Sequence, residues 1–343
     1  MAMGNGMGIE KTELLWRGVW GLDAKEATGP RPGGIVIFAR NLDDNAERGP
    51  QRLFDMIQAM QGEWGGAYPL AVAIDQEGGM VSRLKKWVGE TPPLRQIWLN
   101  GGAAECEGWG RLWGRGLSLL GINVDFAPVF DLFDASKGSA MGSRCASEDP
   151  AETATAATAF LDGLESTGVR GCLKHFPGLG GTVVDSHLAM PCIDDPLAIE
   201  KNVAPFLAAA KPGRLIMVAH LQTPASDGLP ASLHRGHVAE NKWDACGRWI
   251  PDDMEMGGCV APDWHTRAKL AIGAGHMALL VCQSIEAVQQ AAEALDALDD
   301  SLALPAIEEF MSLRGELLPP PARFDQKAWD EWIAELSAAR QKW

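Results

Sequence analysis

A glycine-rich segment in the middle of the chain carries an aspartate and a histidine whose spacing suits proton transfer. It reads KHFPGLGGTVVDSH over residues 174–187, with Asp185 and His187 two positions apart. In an extended segment these side chains lie on the same side. A carboxylate that accepts from one imidazole nitrogen fixes the tautomer and raises the basicity of the other nitrogen. The spacing also fits a turn-capping aspartate beside an unrelated histidine.

Charged and polar residues also follow most of the apolar runs that we interpret as strands. Carboxylates, arginines and a lysine occur together there, which is typical of a site that binds sugar hydroxyls through charge-assisted hydrogen bonds. A set of solvated loop charges is the alternative. The residues are Asp75, Gln76, Glu77, Arg83, Asp131, Arg144, Lys174, His175, His220, Asp252 and Asp253.

The sequence has no pattern typical of a metal or organic cofactor site. His175 and His187 are widely separated on the glycine-rich loop, and the cysteines form no C-x-x-C pair. No G-x-G-x-x-G opens a helix after the first predicted strand, which argues against dinucleotide binding. We therefore predict that the protein uses neither a metal nor a cofactor.

Eight short apolar runs alternate with helix-length amphipathic stretches, and this predicts an α/β fold. Near-continuous apolar runs suit parallel strands buried on both faces, and eight strand–helix repeats predict a (β/α)8 barrel of the TIM type. The first crossover, 22–32, is too short for a full helix, so we expect an irregular barrel; a doubly wound open sheet is the alternative. The runs are 14–21, 34–41, 70–79, 122–131, 170–178, 215–220, 248–254 and 276–282. The helices are predicted at 45–64, 103–120, 149–166, 196–210, 262–274 and 284–298.

No shift in composition marks a second domain. We predict one domain over 1–343, with a core at about 12–300 and a helical C-terminal extension, 301–343, packed outside the barrel. The tail contains a helical pattern around residues 304–313, a proline run at 319–321 and a further helix-like segment from Gln326.

Composition limits the partners and the compartment. The 343 residues carry a net charge of -15 and no basic block, which argues against nucleic acid and anionic membrane partners. Residues 1–10 lack the features of a secretory signal, and no apolar run is long enough to span a bilayer. Seven scattered cysteines favour a reducing compartment. We expect a cytoplasmic protein, monomeric or weakly homo-oligomeric, that binds a small molecule.

Several motifs, in order, resemble glycoside hydrolase family 3, and within it the single-domain β-N-acetylglucosaminidases. The resemblance covers about residues 33–282. Its motifs are GGIVIFARN, AVAIDQEGGMVSRL, NVDFAPVFD, MGSRCASEDP, KHFPG, DSHLAMP, MVAH, the DDM strand end and AGHMALLVC. The resemblance implies a retaining exo-glycosidase that releases terminal β-linked N-acetylglucosamine (GlcNAc), from peptidoglycan-derived saccharides or muropeptides, without a metal or cofactor.

The resemblance also implies roles for individual residues. Asp252 corresponds to the nucleophile that forms a covalent glycosyl-enzyme, and His187, oriented by Asp185, to the general acid and base. The positions that bind sugar hydroxyls and the acetamido group correspond to Asp75, Arg83, Arg144, Lys174 and His175.

The chain departs from the family pattern at several positions. Leu179 replaces a histidine, Pro251 replaces the serine before the nucleophile, and the strand before it reads GRWI instead of a purely aliphatic run. Met277 stands for an aspartate, and His234 for the serine after PASL. Three alternatives therefore stay open: another exo-β-glycosidase of the family, a phosphorylase, or a degenerate barrel that binds a sugar without cleaving it.

Overall fold

Parallel strands connected by helices form the body of the protein. The computed structural model describes residues 10–26, 28–135, 141–184, 186, 188–240, 243, 245–259 and 263–343. All strands except β5 lie within the predicted apolar runs, and most of their residues are buried. They are β1 Leu15–Gly18, β2 Gly34–Ile37, β3 Ala71–Ile74, β4 Gln76–Gly78, β5 Val81–Ser82, β6 Val124–Asp125, β7 Cys172–Phe176, β8 Leu215–Val218, β9 Arg248–Pro251 and β10 Leu279–Val281.

Two parallel sheets contain all of these strands except β4 and β5, which form a small antiparallel pair. The five-stranded sheet has the order β10-β1-β2-β3-β6, and the three-stranded sheet has the order β7-β8-β9. Isolated parallel bridges join Val124 to Arg170 and Val129 to Lys174 between β6 and β7. Between β9 and β10, the Met277 amide donates to the Trp249 carbonyl at 3.0 Å. The predicted α/β class with a parallel sheet and helices is confirmed.

The helices begin and end close to their predicted positions, with one exception. Asp149 and Asp195 cap two of them, each followed by a proline at the first helical position. The exception was predicted at 103–120 but begins nine residues earlier, after Pro93, and contains a non-helical Gly102 with φ 60°. The helices are α1 Gly49–Met60, α2 Lys85–Val88, α3 Leu94–Leu119, α4 Pro150–Glu165, α5 Pro196–Ala209, α6 Trp264–Ala274, α7 Ile285–Asp296, α8 Asp300–Glu316 and α9 Gln326–Arg340.

The first crossover, as expected, contains only a short 3-10 turn, Ala24–Glu26, in its described residues. None of the described helices has the combination of length and apolar character needed to span a lipid bilayer.

A tryptophan cluster holds the C-terminal helix α9 against α3. The ring centroid of Trp332 lies 6.0 Å from that of Trp113 and 4.7 Å from that of Trp329, and its indole nitrogen donates to the Leu112 carbonyl at 2.8 Å. A Cβ at Gly116 would lie 2.2 Å from the Trp332 ring, so the helices approach closely only with glycine there. Three of the 13 tryptophans, Trp113, Trp329 and Trp332, thus have a packing role.

The arginine in the GRWI run has a structural partner. Arg248 begins β9 and is 7% exposed. Its guanidinium contacts Glu309 at 2.6 Å and Glu316 at 2.7 Å, both on α8. The charged residue thus joins the amino end of this strand to the C-terminal extension and lies at the opposite end of β9 from Asp252.

Candidate active site

A cavity of about 350 Å³ opens at the carboxyl ends of the parallel strands. Its volume lies in the range of about 300–1,000 Å³ that is usual for small-molecule sites. The strand ends meet at this edge, so residues distant in the sequence share one cavity. Six predicted site residues line it: Asp75, Arg83, Arg144, Lys174, His175 and Asp252.

Asp75 follows β3 and is held between two cations. Its carboxylate oxygens lie 3.0 Å from Arg83 Nη2 and 3.0 Å from Lys174 Nζ. Burial alone would raise the pKa of Asp75, but the charges of Lys174 and Arg83 outweigh it and hold the pKa well below its ordinary value. Asp75 therefore stays ionised at neutral pH, with lone pairs available to accept from a hydroxyl.

Glu77 forms the centre of a second ion-pair group. Both of its oxygens accept from Arg144 at 2.8 Å, in a bidentate pair, and one oxygen lies 2.7 Å from Lys174 Nζ. Burial raises the pKa of Glu77, but Arg144 and Lys174 reverse the effect and lower it to about 2. Lys174 thus joins Asp75 and Glu77, and the network fixes the cations that line the cavity.

His175 is oriented by Asp131. The His175 Nδ1 lies 2.7 Å from Asp131 Oδ2, and the Leu179 amide donates to the other oxygen at 2.7 Å. With Nδ1 directed at a carboxylate, Nε2 is the nitrogen left to face other groups. Leu179, which replaces a family histidine, also lines the cavity and is 5% exposed. The peptide bond between Lys174 and His175 is cis.

Asp252 lies directly after β9 and lines the cavity. Its amide donates to the Val218 carbonyl at 3.0 Å, and its carboxylate accepts from the Asp253 amide at 2.8 Å. The Arg248 amide also donates towards β8, to the Arg214 carbonyl at 2.7 Å. Since alternate residues of a parallel strand face the same neighbour, position 251 faces away from β8, and Pro251 removes no donor from that ladder.

Asp253 has a different environment from its neighbour. It is 7% exposed, and its carboxyl group accepts from the Gln283 side-chain amide at 2.8 Å and from the Cys282 amide at 3.3 Å. Burial is the largest influence and raises the pKa of Asp253 to about 7. The Asp253 carboxyl group therefore keeps its proton to a much higher pH than an exposed aspartate does.

The predicted site residues that lie in the described part of the chain line one cavity, but two of the pairings between polar side chains were not predicted. The Glu77 pairing with Arg144 and Lys174 and the orientation of His175 by Asp131 depend on contacts between distant positions. Both acidic residues stand at predicted strand ends, which was the available signal. Asp185 and His187 lie outside the described residues. No group of three or more His, Cys, Asp or Glu side chains that could hold a metal ion occurs in the part of the chain that the structure describes.

The chain is similar to known proteins over most of its length. Residues 23–311 match the glycosyl hydrolase family 3 N-terminal domain. A β-hexosaminidase of Pseudomonas aeruginosa is 33% identical over 322 residues, which cover 91% of each chain. The structure of LpqI from Mycobacterium tuberculosis superposes with a TM-score of 0.77 at 28% identity, covering 91% of this chain and 94% of LpqI. That of NagZ from Neisseria gonorrhoeae gives 0.76 at 25% identity, covering 95% and 97%.

Proposed function

The chain belongs to glycosyl hydrolase family 3 and is a glycoside hydrolase, and on that premise we propose that it removes terminal β-linked GlcNAc. The β-hexosaminidases that it resembles support this donor sugar. The observation that carries the proposal is the cavity in which Asp252 faces the same space as Asp75, Arg144 and Lys174. A nucleophilic carboxylate and groups that bind hydroxyls are what an exo-glycosidase requires.

The proposed reaction is a double displacement with retention. An oxygen of Asp252 forms a bond to the anomeric carbon as the bond to the leaving oxygen breaks, and His187 gives that oxygen a proton. A water molecule then attacks the anomeric carbon, loses its proton to His187, and releases Asp252. Asp185 orients His187 in this scheme. The roles of His187 and Asp185 rest on the family resemblance.

The remaining side chains would bind and orient the sugar. Asp75 accepts hydrogen bonds from hydroxyls, while Arg144, Arg83 and Lys174 donate to hydroxyl oxygens or to the acetamido carbonyl. His175 presents Nε2, since Asp131 holds Nδ1. The scheme uses no metal and no organic cofactor, in keeping with the sequence expectation.

We propose that the substrate comes from peptidoglycan as a saccharide or muropeptide and that the enzyme acts in the cytoplasm as a monomer or weak homo-oligomer. The buried thiols of Cys106, Cys145 and Cys172 support a reducing compartment. We further propose that the two sheets close into one irregular barrel and that residues 1–343 form a single domain. The bridges between β6 and β7 and the hydrogen bonds between β9 and β10 support closure.

Covalent trapping tests the proposal. A 5-fluoro GlcNAc donor with an activated leaving group should label Asp252, as read by peptide mass mapping, and Asp252→Ala should abolish both labelling and turnover. Glu255→Gln is the matched control, because it removes a carboxylate from the same turn that does not line the cavity. Sugar binding without labelling or turnover would contradict the proposal, and dependence of turnover on added phosphate would identify a phosphorylase.

A further inference from the structure

Three motif residues lie behind the cavity without a role in the proposed chemistry. His220 ends the MVAH motif, Ser232 belongs to PASL, and His276 to AGHM. The exposed fraction of each is 1% or less, and none of them lines the cavity. They nevertheless contact one another and reach the turn that carries Asp252. Buried polar groups of this kind are expected to be fully hydrogen-bonded.

The hydrogen-bond partners determine where the His220 proton lies. His220 Nε2 is 3.0 Å from the carbonyl oxygen of Asp253, and because a carbonyl only accepts, Nε2 carries the hydrogen. Nδ1 then accepts from the Ser232 hydroxyl at 2.7 Å. Burial lowers the pKa of His220, which favours the neutral ring that this arrangement requires. His276 Nε2 lies 2.7 Å from the Ser232 carbonyl oxygen, so this ring contacts the Ser232 backbone and not its hydroxyl.

The carbonyl that His220 holds belongs to the turn immediately after the end of β9. Asp252 donates its amide to β8, and the Met254 amide donates to the Leu280 carbonyl of β10 at 2.9 Å. Between these two anchors, the His220 ring supplies the donor for the Asp253 carbonyl. The amide of Asp253 in turn donates to the Asp252 carboxylate. Rotation of this turn would therefore redirect the Asp252 side chain.

The same turn also reaches the glycine-rich loop. The Gly258 amide donates to the Ser186 carbonyl at 3.0 Å, and a Cβ at Gly258 would lie 2.9 Å from the Cβ of His220. His220 is thus packed at its Cβ against the point where residues 252–258 contact the loop, and only a glycine fits at position 258.

We propose that His220 is a positioning residue for Asp252: its Nε2–H, set in one tautomer by Ser232, fixes the turn that directs the Asp252 carboxylate into the cavity. The inference rests on the proposed nucleophilic role of Asp252. The side chains proposed to bind the sugar lie on β7 and in segments after β3 and β6, away from His220. Loss of His220 should therefore slow the chemical step, seen in kcat, and leave binding of the substrate unchanged.

Four variants test this on an aryl β-GlcNAc substrate. His220→Met removes the donor and should lower kcat roughly 100-fold, as expected for a misplaced reacting group, with KM changed less than about two-fold. The rate of labelling by the 5-fluoro donor should fall by the same factor. His220→Gln, whose terminal amide can still donate, should recover at least about ten-fold of the loss. Ser232→Ala should lower kcat about ten-fold at unchanged KM.

His276→Met is the matched control, because it removes an equally buried histidine that bonds the Ser232 backbone and not the hydroxyl. It should stay within about three-fold of wild-type kcat. If His276→Met and His220→Met lower kcat equally, or if His220→Met acts by raising KM and not by lowering kcat, then His220 is only structural. If His220→Met does not fold, Ser232→Ala decides, and a wild-type kcat in that variant overturns the proposal. Failure of the wild-type protein to label at Asp252 would instead overturn the proposed function.

Discussion

Replacement of Asp253 by asparagine should stabilise the protein at neutral pH. The side chain is 7% exposed, and its burial raises the pKa from 3.8 to about 7. An asparagine has the same shape and no charge to bury. Its amide oxygen can still accept from the Cys282 amide, and the exposed Gln283 side chain can rotate to present its oxygen to the new NH2 group.

The sign and size of the effect follow from proton binding. As pH rises from 3.8 to 7, the unfolded chain releases the Asp253 proton while the folded protein keeps it, so the free energy of unfolding falls. Below the unfolded pKa this stability is fully present, and above the folded pKa it is lost. The full shift corresponds to about 4 kcal/mol, of which about 3 kcal/mol falls between about pH 4.5 and about pH 8.

Urea denaturation of the wild-type protein and of Asp253→Asn at these two pH values measures the effect. The stability gain of the variant should be larger at the higher pH by about 3 kcal/mol. Asp263→Asn is the control, because hydrogen bonds from Thr266 lower the pKa of that exposed helix cap below 3.8, and its contribution to stability therefore changes only below about pH 4.5. The stability difference between this variant and the wild-type protein should be the same at both pH values. A gain for Asp253→Asn that is independent of pH would refute the reasoning.

Three further predictions concern the site and the packing around it. Glu77→Gln leaves the buried Lys174 short of a partner and should lower the free energy of unfolding by about 3–5 kcal/mol, whereas Glu90→Gln, at an exposed ion pair, should change it by less than about 1 kcal/mol in the same urea titration. Trp332→Ala should cost about 3–5 kcal/mol, measured by urea unfolding at one pH, because the α3–α9 contact loses its central ring; a loss below 1 kcal/mol would show that α9 does not depend on it. His187→Ala should slow substrates with poor leaving groups more than activated aryl glycosides, and equal losses would contradict its role as an acid.

The apolar pattern was sufficient to predict the strands because parallel strands are buried on both faces. It overestimated their length, since the predicted run 122–131 contains a ladder only at Val124–Asp125. Past that point Pro128 has no amide to donate, and the chain continues with a single bridge at Val129. Hydrophobicity alone does not report the hydrogen bonding that ends a strand.

The start of α3 could not be predicted from the same pattern. The predicted helix, 103–120, begins directly after two consecutive glycines, Gly101 and Gly102, which disfavour helix. Gly102 does leave the helical region, at φ 60°, yet helix continues on both sides. Residues from Leu94 are held by burial of Leu94 and Ile97 in the core, a tertiary contact that local sequence does not contain.

Individual site residues were easier to predict than their pairings. The carboxyl ends of neighbouring parallel strands bring together whatever follows each strand, so Asp75, Lys174 and Asp252 could be expected near one another from topology alone. The bidentate contact between Glu77 and Arg144 joins the short β4 strand to a 3-10 turn, Gly142–Arg144, and neither element has a periodic signal. The sequence therefore predicts which residues share the cavity but not which of them neutralise one another.

The DD pair at the end of β9 shows how environment assigns a role that residue type does not. Both aspartates line the cavity, and a nucleophile must be ionised when it attacks the anomeric carbon. The Asp253 carboxyl group accepts hydrogen bonds from the Gln283 side chain and the Cys282 amide. Its pKa is raised to about 7, so it keeps its proton until the pH approaches that value. Asp252 accepts one backbone amide and otherwise faces the cavity. Of the two, Asp252 is the carboxylate that fits the proposed nucleophilic attack, and Asp253 fits a structural part of the cavity wall beside it.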